Sequence, residues 1–489
     1  MEIQNPFQII WENSSNDFAA FFNAKFAKYG SQLAMIDLED GKQWRYSELC
    51  GWVEKCAKRL QEIGVAANTR IAMITCTTCQ VIFVQLACSI LQAVVVGING
   101  YLPIGHAKYL FKFLHKEIKV IADVLCDFES FANDQNVTTT AKTNNKTGMM
   151  IFFSEGSTDP PKPTEISHQS IVINVQQLSC PVFSPPMQNQ KFLLAISMLV
   201  KNTQVIINND EMLTRFYILI QKINTFLVYG LTTASGFCTF SKFGNNNYKS
   251  VGVPLPGMVA KIVNIETNEL CMPHQPGRLY VIGPQIQIRS HRSSKASNSL
   301  ADVDGYLNTG DFAFYDRDGY IYIIGKIKNL IKYRGTLTPP SQVETFLLTH
   351  PGIEDCAVIG RQDALLGEVP AAFVVKTSKY SQLSPADVRQ HVFGKIGHIK
   401  ELRGGVFFVN EIPRSSSGKI IYRQLKQTWE RDRSGLRETN SSSSLPNIGD
   451  GSTNKEKRGL RIAKLQKSAS KPVIQINRVQ IKGNTDHNI

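Results

Sequence analysis

Long apolar runs are scarce in this 489-residue chain. The most apolar window, 81–98, is broken by Gln85 and Gln92 and falls short of the roughly 20 residues that cross a bilayer. It reads as a buried helix followed by a strand, and no transmembrane segment is expected. The opening stretch MEIQNPFQIIWENSSND lacks a basic start and an apolar core, so no secretory leader is read there. Paired cysteine motifs are missing too. Ten cysteines are scattered between Cys50 and Cys356, and Cys76 and Cys79 form a C-x-x-C with no second pair and no neighbouring histidines. That is a weak metal signal, and the apolar flanks favour structural thiols. Reduced thiols point to an intracellular, cytoplasmic protein. The last residues, His487-Asn488-Ile489, are not a peroxisomal import tripeptide.

Positive charge is plentiful and unevenly placed. Of a net +14, the stretch from Arg431 onward carries 12 Lys/Arg against 5 Asp/Glu, together with Ser441 to Ser444 and few aromatics. Range 431–489 therefore reads as a basic disordered tail, suited to weak contact with anionic surfaces. No recognition motif accompanies the charge, so no specific nucleic-acid partner is expected. The remainder, in a chain 43% hydrophobic and 19% charged, should fold, and its length asks for two or three domains.

Periodicity alternates along the first half. LAMIDL (33–38) is strand-like, 47–63 shows apolar residues at helical spacing (Leu49, Val53, Ala57, Leu60, Ile63), and strands follow at 70–74, VVVGI and 120–122. Strands alternating with helices argue for an α/β fold with a parallel sheet. Beyond Val251 come shorter, turn-rich strands: AKIVNI, GRLYVIG and FAFYDRDGYIYIIG, with a hairpin turn at Asp318-Gly319. A smaller α+β unit follows, with helices opened by capping boxes at Ser341/Glu344 and Ser384/Asp387. The expected boundaries are 1–325, 326–430 and the tail 431–489.

Between Phe152 and His168 runs FFSEGSTDPPKPTEISH. After an apolar strand it offers Ser154, Gly156, Ser157, Thr158 and Lys162, the small residues and single cation with which a loop wraps a polyphosphate. Glu155 and Asp159 set carboxylates among them, and Pro160, Pro161 and Pro163 remove backbone donors.

Six ordered motifs together resemble the adenylate-forming enzymes: acyl-CoA synthetases, 4-coumarate-CoA ligases and the firefly-luciferase-like group. They are this loop, YGLTTASG (229–236), VGVPLPGMVAKIVN with GRLYVIGPQI, GYLNTGD (305–311), GKIKNLIKYRG (325–335) and EIPRSSSGKI ending near Lys419. The resemblance implies a large N-terminal domain hinged to a small C-terminal one, with ATP, Mg2+ and CoA as cofactors and a small carboxylic acid as substrate. It implies that Lys419 steadies charge in the adenylation step and that Asp311 accepts the ribose hydroxyls. Tyr229, Gly230 and Thr232 would border adenine and α-phosphate, with Lys326 beside them. Lys328 falls at the hinge, and Lys332 and Gly335 on the segment of the thioester step. Peroxisomes are the alternative compartment, as in related proteins. Taken singly, Asp311 caps a turn and Lys419 is one more solvated cation; the ordered set favours descent from an ATP site.

Departures from the pattern leave two readings open. Glu155, Asp159 and Pro163 stand where the family has a serine and glycines, and each carboxylate repels a polyphosphate. Thr233 replaces a Mg2+-binding glutamate, and Lys326 an arginine. Only 67 positions separate Lys162 from Tyr229. The shortening, at about 190–230, removes a histidine-containing loop and a strand–helix–strand that wall the family's acyl pocket. One reading is a working ligase for a fatty or aromatic acid. The other is a non-catalytic relative that binds a ligand or a protein.

Overall fold

Parallel pairing dominates the first layer. The computed structural model describes residues 2–5, 17–36, 43–75, 79–99, 118–121, 148–153, 163–180, 227–242, 247, 249–286, 302, 304–397, 401–414, 418–431 and 476–479. Strands Ile118–Ile121, Arg70–Thr75, Val94–Asn99 and Gly148–Phe153 lie side by side in parallel, and Pro163–Ser167 closes the sheet antiparallel to the last of them. Helix Tyr46–Glu62 turns Leu49, Val53, Cys56, Ala57 and Leu60 inward, the stripe its spacing predicts. It packs on helix Cys79–Ile90, and these side chains share one core with Ile71, Val95 and Met150. Each such fully buried aliphatic contributes about 1.5–3 kcal/mol over exposure.

Antiparallel strands build the next layer. Ile3–Gln4, Val259–Val263, Gly277–Ile282, Leu307–Tyr315 and Ile321–Lys326 pair in that order. Alternation sends Leu279 and Val281 into the core. Gly319, at φ +79°, makes the turn, and the Asp316 carboxylate takes the N–H groups of Asp318 and Tyr320. A three-stranded sheet of Val228–Leu231, Gly236–Phe240 and Val253–Pro254 completes this unit.

The chain divides into two compact units, Met1–Ile327 with Ile474–Ile489, and Lys328–Val473. In the second, Ile331–Tyr333 and Thr336–Thr338 form a hairpin whose turn residues, Arg334 and Gly335, both have positive φ. In the long hairpin Ile353–Asp363/Gly367–Lys376 the second strand is central, pairing also with Ile331–Tyr333 and, in parallel, with Val406–Phe408. Helices Pro340–Leu347 and Pro385–Val392 bury Val343, Leu347, Val388 and Val392 in a core shared with Val358 and Val374. Helix Tyr422–Arg431 places Leu425 in a separate cluster with Phe373 and Phe407.

Two expectations change. The Ser384/Asp387 capping box forms, with Pro385 at the first helical position. The box at Ser341/Glu344 does not: Pro339 caps that helix without a side-chain bond, and Glu344 is drawn into the unit's interior. There its carboxylate accepts the Val358 N–H at 2.8 Å and the Tyr422 hydroxyl at 3.0 Å, and these buried donors outcompete the helix end. Within range 431–489, expected to be disordered, residues Ile476–Val479 form a strand antiparallel to Ile118–Ile121. Among the described residues no helix is long and apolar enough to cross a membrane.

Candidate functional site

Strand Leu307–Tyr315 carries the sequence TGD into a buried corner. Gly310 adopts φ +70°, and the Thr309 hydroxyl donates to the Leu279 carbonyl at 2.8 Å while accepting the Asp311 N–H at 3.1 Å. Asp311 is thereby fixed with only 3% of its surface exposed. A carboxylate so buried needs partners, and two converge on Oδ2. Lys326, its register partner on Ile321–Lys326, donates from Nζ at 2.8 Å, and the Tyr229 hydroxyl donates at 2.6 Å. Oδ1 takes no hydrogen bond among the described residues. Burial, reinforced by the negative charge of Asp311, raises the Tyr229 hydroxyl well above its ordinary pKa, so it remains a donor. Burial likewise pushes the nearby Cys238 thiol up to about 12.

YGLTTASG folds as strand, turn and strand. A side chain at Gly230 would place its Cβ 2.3 Å from the Gly236 carbonyl oxygen, so this close approach requires glycine. Thr232–Ala234 form one 3-10 turn, closed by Ser235 at φ 57°, whose N–H bonds the Thr232 carbonyl at 3.0 Å. Thr232 is buried, and Thr233 is half-buried. A hydroxyl is a poor substitute for a carboxylate toward Mg2+. Among the described residues no group of three His, Cys, Asp or Glu side chains is placed to hold a metal.

Ser154, Gly156, Ser157, Thr158 and Lys162 lie outside the described residues, as do Glu155 and Asp159. Their flanks are described. Phe153 pairs with Pro163, so loop 154–162 bridges two neighbouring antiparallel strands. Pro163 sits on the edge strand of the sheet, where a missing N–H is tolerated.

The second unit carries the other predicted residues. Lys328 is exposed on the 3-10 turn Ile327–Asn329. Lys332 is exposed on Ile331–Tyr333, its N–H held by Glu368 at 2.9 Å, and Gly335 occupies the hairpin turn at φ +79°. Lys419 is exposed at the base of a short loop. Arg414 grips that base: its Nε and Nη2 fork onto Asp355 at 3.1 and 2.6 Å, and its Nη1 donates to the Gly418 carbonyl at 2.8 Å. Tyr422, three residues beyond Lys419, is tied to Glu344.

The structure thus brings Tyr229, Asp311 and Lys326 together in the first unit. Sequence reading missed the pair Arg414 and Asp355, 59 residues apart, and gave Glu344 only a helix-capping role. It also missed Asn174, Gln177 and Gln285, buried amides bonded to one another. The spacing of Ser170, Asn174 and Gln177, which places them on one side of the helix, was the available signal.

The sequence pattern of the AMP-binding enzyme family matches residues 22–207 and 209–287, and that of the AMP-binding enzyme C-terminal domain matches 342–419. A probable 4-coumarate–CoA ligase 3 of Dictyostelium discoideum is 37% identical over 198 residues, 40% of this chain and 36% of that protein. Luciferin 4-monooxygenase of Photuris pensylvanica is 37% identical over 209 residues, 42% of this chain and 38% of that protein. The chain therefore matches little more than a third of these relatives' length. Among solved structures, ATP-bound MatB from Rhodopseudomonas palustris shares the fold with a TM-score of 0.71 at 19% identity, covering 85% of this chain and 99% of that one. The o-succinylbenzoate CoA synthetase MenE of Bacillus subtilis, with its acyl-adenylate, gives 0.69 at 18% identity, covering 85% and 99%.

Proposed function

The chain belongs to the AMP-binding enzyme family, and from that premise we propose that it is an ATP-dependent acid–CoA ligase. It would join a fatty or aromatic carboxylate to AMP, release pyrophosphate, and pass the acyl group to the thiol of CoA. The observation that carries this reading is the convergence of Tyr229 and Lys326 on Asp311 Oδ2. Held by two donors, the carboxylate cannot turn, and it presents Oδ1 as an acceptor for ribose hydroxyls. Tyr229 and the Gly230 backbone would border adenine. Lys419 would supply the cation for charge developing at the α-phosphate, a contribution of about 3–4 kcal/mol for one preorganised electrostatic contact. Mg2+ would arrive with the polyphosphate and take its ligands mainly from phosphate oxygens, since Thr233 offers only a hydroxyl. Lys328 and Lys332 would serve the hinge and the thioester step with CoA.

A second reading is a non-catalytic relative that binds nucleotide, acyl ligand or protein. Thr233 and the short span from Lys162 to Tyr229 favour it. ATP–pyrophosphate exchange, run with fatty and aromatic acids, separates the two. Acid-dependent exchange that disappears in Lys419→Ala supports the ligase. AMP binding without exchange supports the second reading in its nucleotide-binding form, and a protein showing neither overturns the ligase and leaves only acyl-ligand or protein binding.

A further inference from the structure

Helix His168–Leu178 follows loop 154–162 through the single strand Pro163–Ser167. Its inward face is polar where a packed helix usually carries aliphatic side chains. Ser170 and Gln177 are wholly buried, and Asn174 is 2% exposed. Buried amides are costly unless every polar atom is bonded, and here they are. Asn174 commits both ends to a single residue: Nδ2 donates to the Phe237 carbonyl at 2.9 Å, and Oδ1 accepts the Phe237 N–H at 3.2 Å. Nδ2 also donates to Gln177 Oε1 at 3.0 Å. Gln177 Nε2 donates to Gln285 Oε1 at 3.1 Å and to the Pro256 carbonyl at 2.9 Å. Gln285 Nε2 returns to the Phe237 carbonyl at 3.2 Å.

Phe237 is where the strand pairing slips. Across from Gly236–Phe240, Gly230 pairs with Phe237 but Tyr229 pairs with Thr239, leaving Cys238 as an extra residue. Such a bulge re-aims the side chains beside it. Asn174 bonds the backbone of the residue at which the bulge begins. A Cβ at Gly236 would lie 2.5 Å from Asn174 Oδ1, so glycine and asparagine interlock there. We infer that Asn174, backed by Gln177 and Gln285, is a positioning residue. It fixes the bulge at Phe237 and thereby aims Tyr229 at Asp311, tying helix His168–Leu178 to the nucleotide-binding element. Movement of the bulge by one residue would change which residue of Gly236–Phe240 pairs with Tyr229 and so displace Tyr229 relative to Asp311.

This inference rests on the nucleotide reading, and a double-mutant cycle on the full-length chain tests it. AMP affinity is measured by calorimetry for the wild type, Asn174→Ala, Tyr229→Phe and the double variant, with circular dichroism as a check on folding. Asn174→Ala should weaken AMP about tenfold, the order expected from losing one hydrogen bond to the charged Asp311 when Tyr229 is no longer aimed at it. The double variant should be no weaker than the worse single one, because both changes remove the same Tyr229–Asp311 contact. Gln285→Leu, which removes the bond from Gln177 and one bond to the Phe237 carbonyl but leaves both Asn174 bonds to Phe237 in place, should weaken AMP less than Asn174→Ala and serves if the latter folds poorly. AMP affinity unchanged in Asn174→Ala or, where that variant misfolds, in Gln285→Leu overturns the inference, as do losses that multiply in the double variant. A wild type that binds no AMP defeats the nucleotide reading instead. Hydrogen exchange at the Phe237 amide then decides: faster exchange in Asn174→Ala, or failing that in Gln285→Leu, upholds the anchoring of the bulge, and unchanged exchange overturns it.

Discussion

Asp311 shows how much one carboxylate can organise. With Lys326 and Tyr229 both on Oδ2, Asp311→Asn removes the ion pair and one oxygen acceptor while keeping the shape. AMP affinity should fall about tenfold or more, since hydrogen bonds to charged groups contribute roughly 1.5–3 kcal/mol each; a calorimetric constant unchanged from wild type would remove Asp311 from the site. His168 makes the opposite case, a titratable side chain with no hydrogen bond. Its ring is 3% exposed and, among the described residues, neither nitrogen has a hydrogen-bond partner. Burial lowers its pKa, and Asp17, 3.6 Å from Nδ1, only partly opposes this. The unfolded chain therefore takes up the proton first. Stability is full above the unfolded pKa of about 6.5 and declines as pH falls through it toward the folded value. Urea midpoints measured between about pH 7.5 and pH 5 should drop in the wild type and drop less in His168→Asn.

At the scale of elements, local signals and tertiary partners compete. Ser384 and Asp387 cap their helix as the sequence pattern says, each side chain accepting the other's backbone N–H. Glu344 has the same spacing from Ser341 yet serves the strand and helix packed against it, through Val358 and Tyr422. Burial raises its pKa above the ordinary carboxylate value, despite the bonds from Val358 and Tyr422. A raised carboxylate pKa means stability present below the unfolded value of about 4.5 and lost as pH rises through the folded one. Glu344→Gln, which keeps the shape without the charge, should raise the thermal midpoint at pH 7 relative to wild type. That gain should vanish near pH 4; an equal gain at both values would show that the charge is not what costs stability. The Lys419 loop belongs to this scale as well. Arg414→Lys keeps the charge but loses the planar fork on Asp355 and the bond to Gly418, so pyrophosphate exchange should slow while the fold persists.

At the scale of the whole molecule, the proposed ligase reading has the departures at Glu155, Asp159, Pro163 and Thr233 act on one anionic ligand. Restoring Glu155→Ser, Asp159→Gly, Pro163→Gly and Thr233→Glu together should raise acid-dependent exchange by more than the product of the single effects. Exchange that vanishes again with Lys419→Ala would locate the deficit in the loop. Normal ATP binding without exchange would assign it to the shortened segment between Lys162 and Tyr229. What the sequence by itself determined was the alternation of strand and helix, the stripe Leu49–Val53–Ala57–Leu60, the turn at Asp318-Gly319, and the order of the motifs. Each of these is written in neighbouring residues, through periodicity or a φ that glycine adopts freely. Only the tertiary structure decided that Lys326 lies on Asp311, that Glu344 leaves its helix end for Val358, and that Asn174 holds Phe237 63 residues away. Those pairings depend on which buried donor finds which acceptor once the chain has packed, and sequence separation carries no record of that.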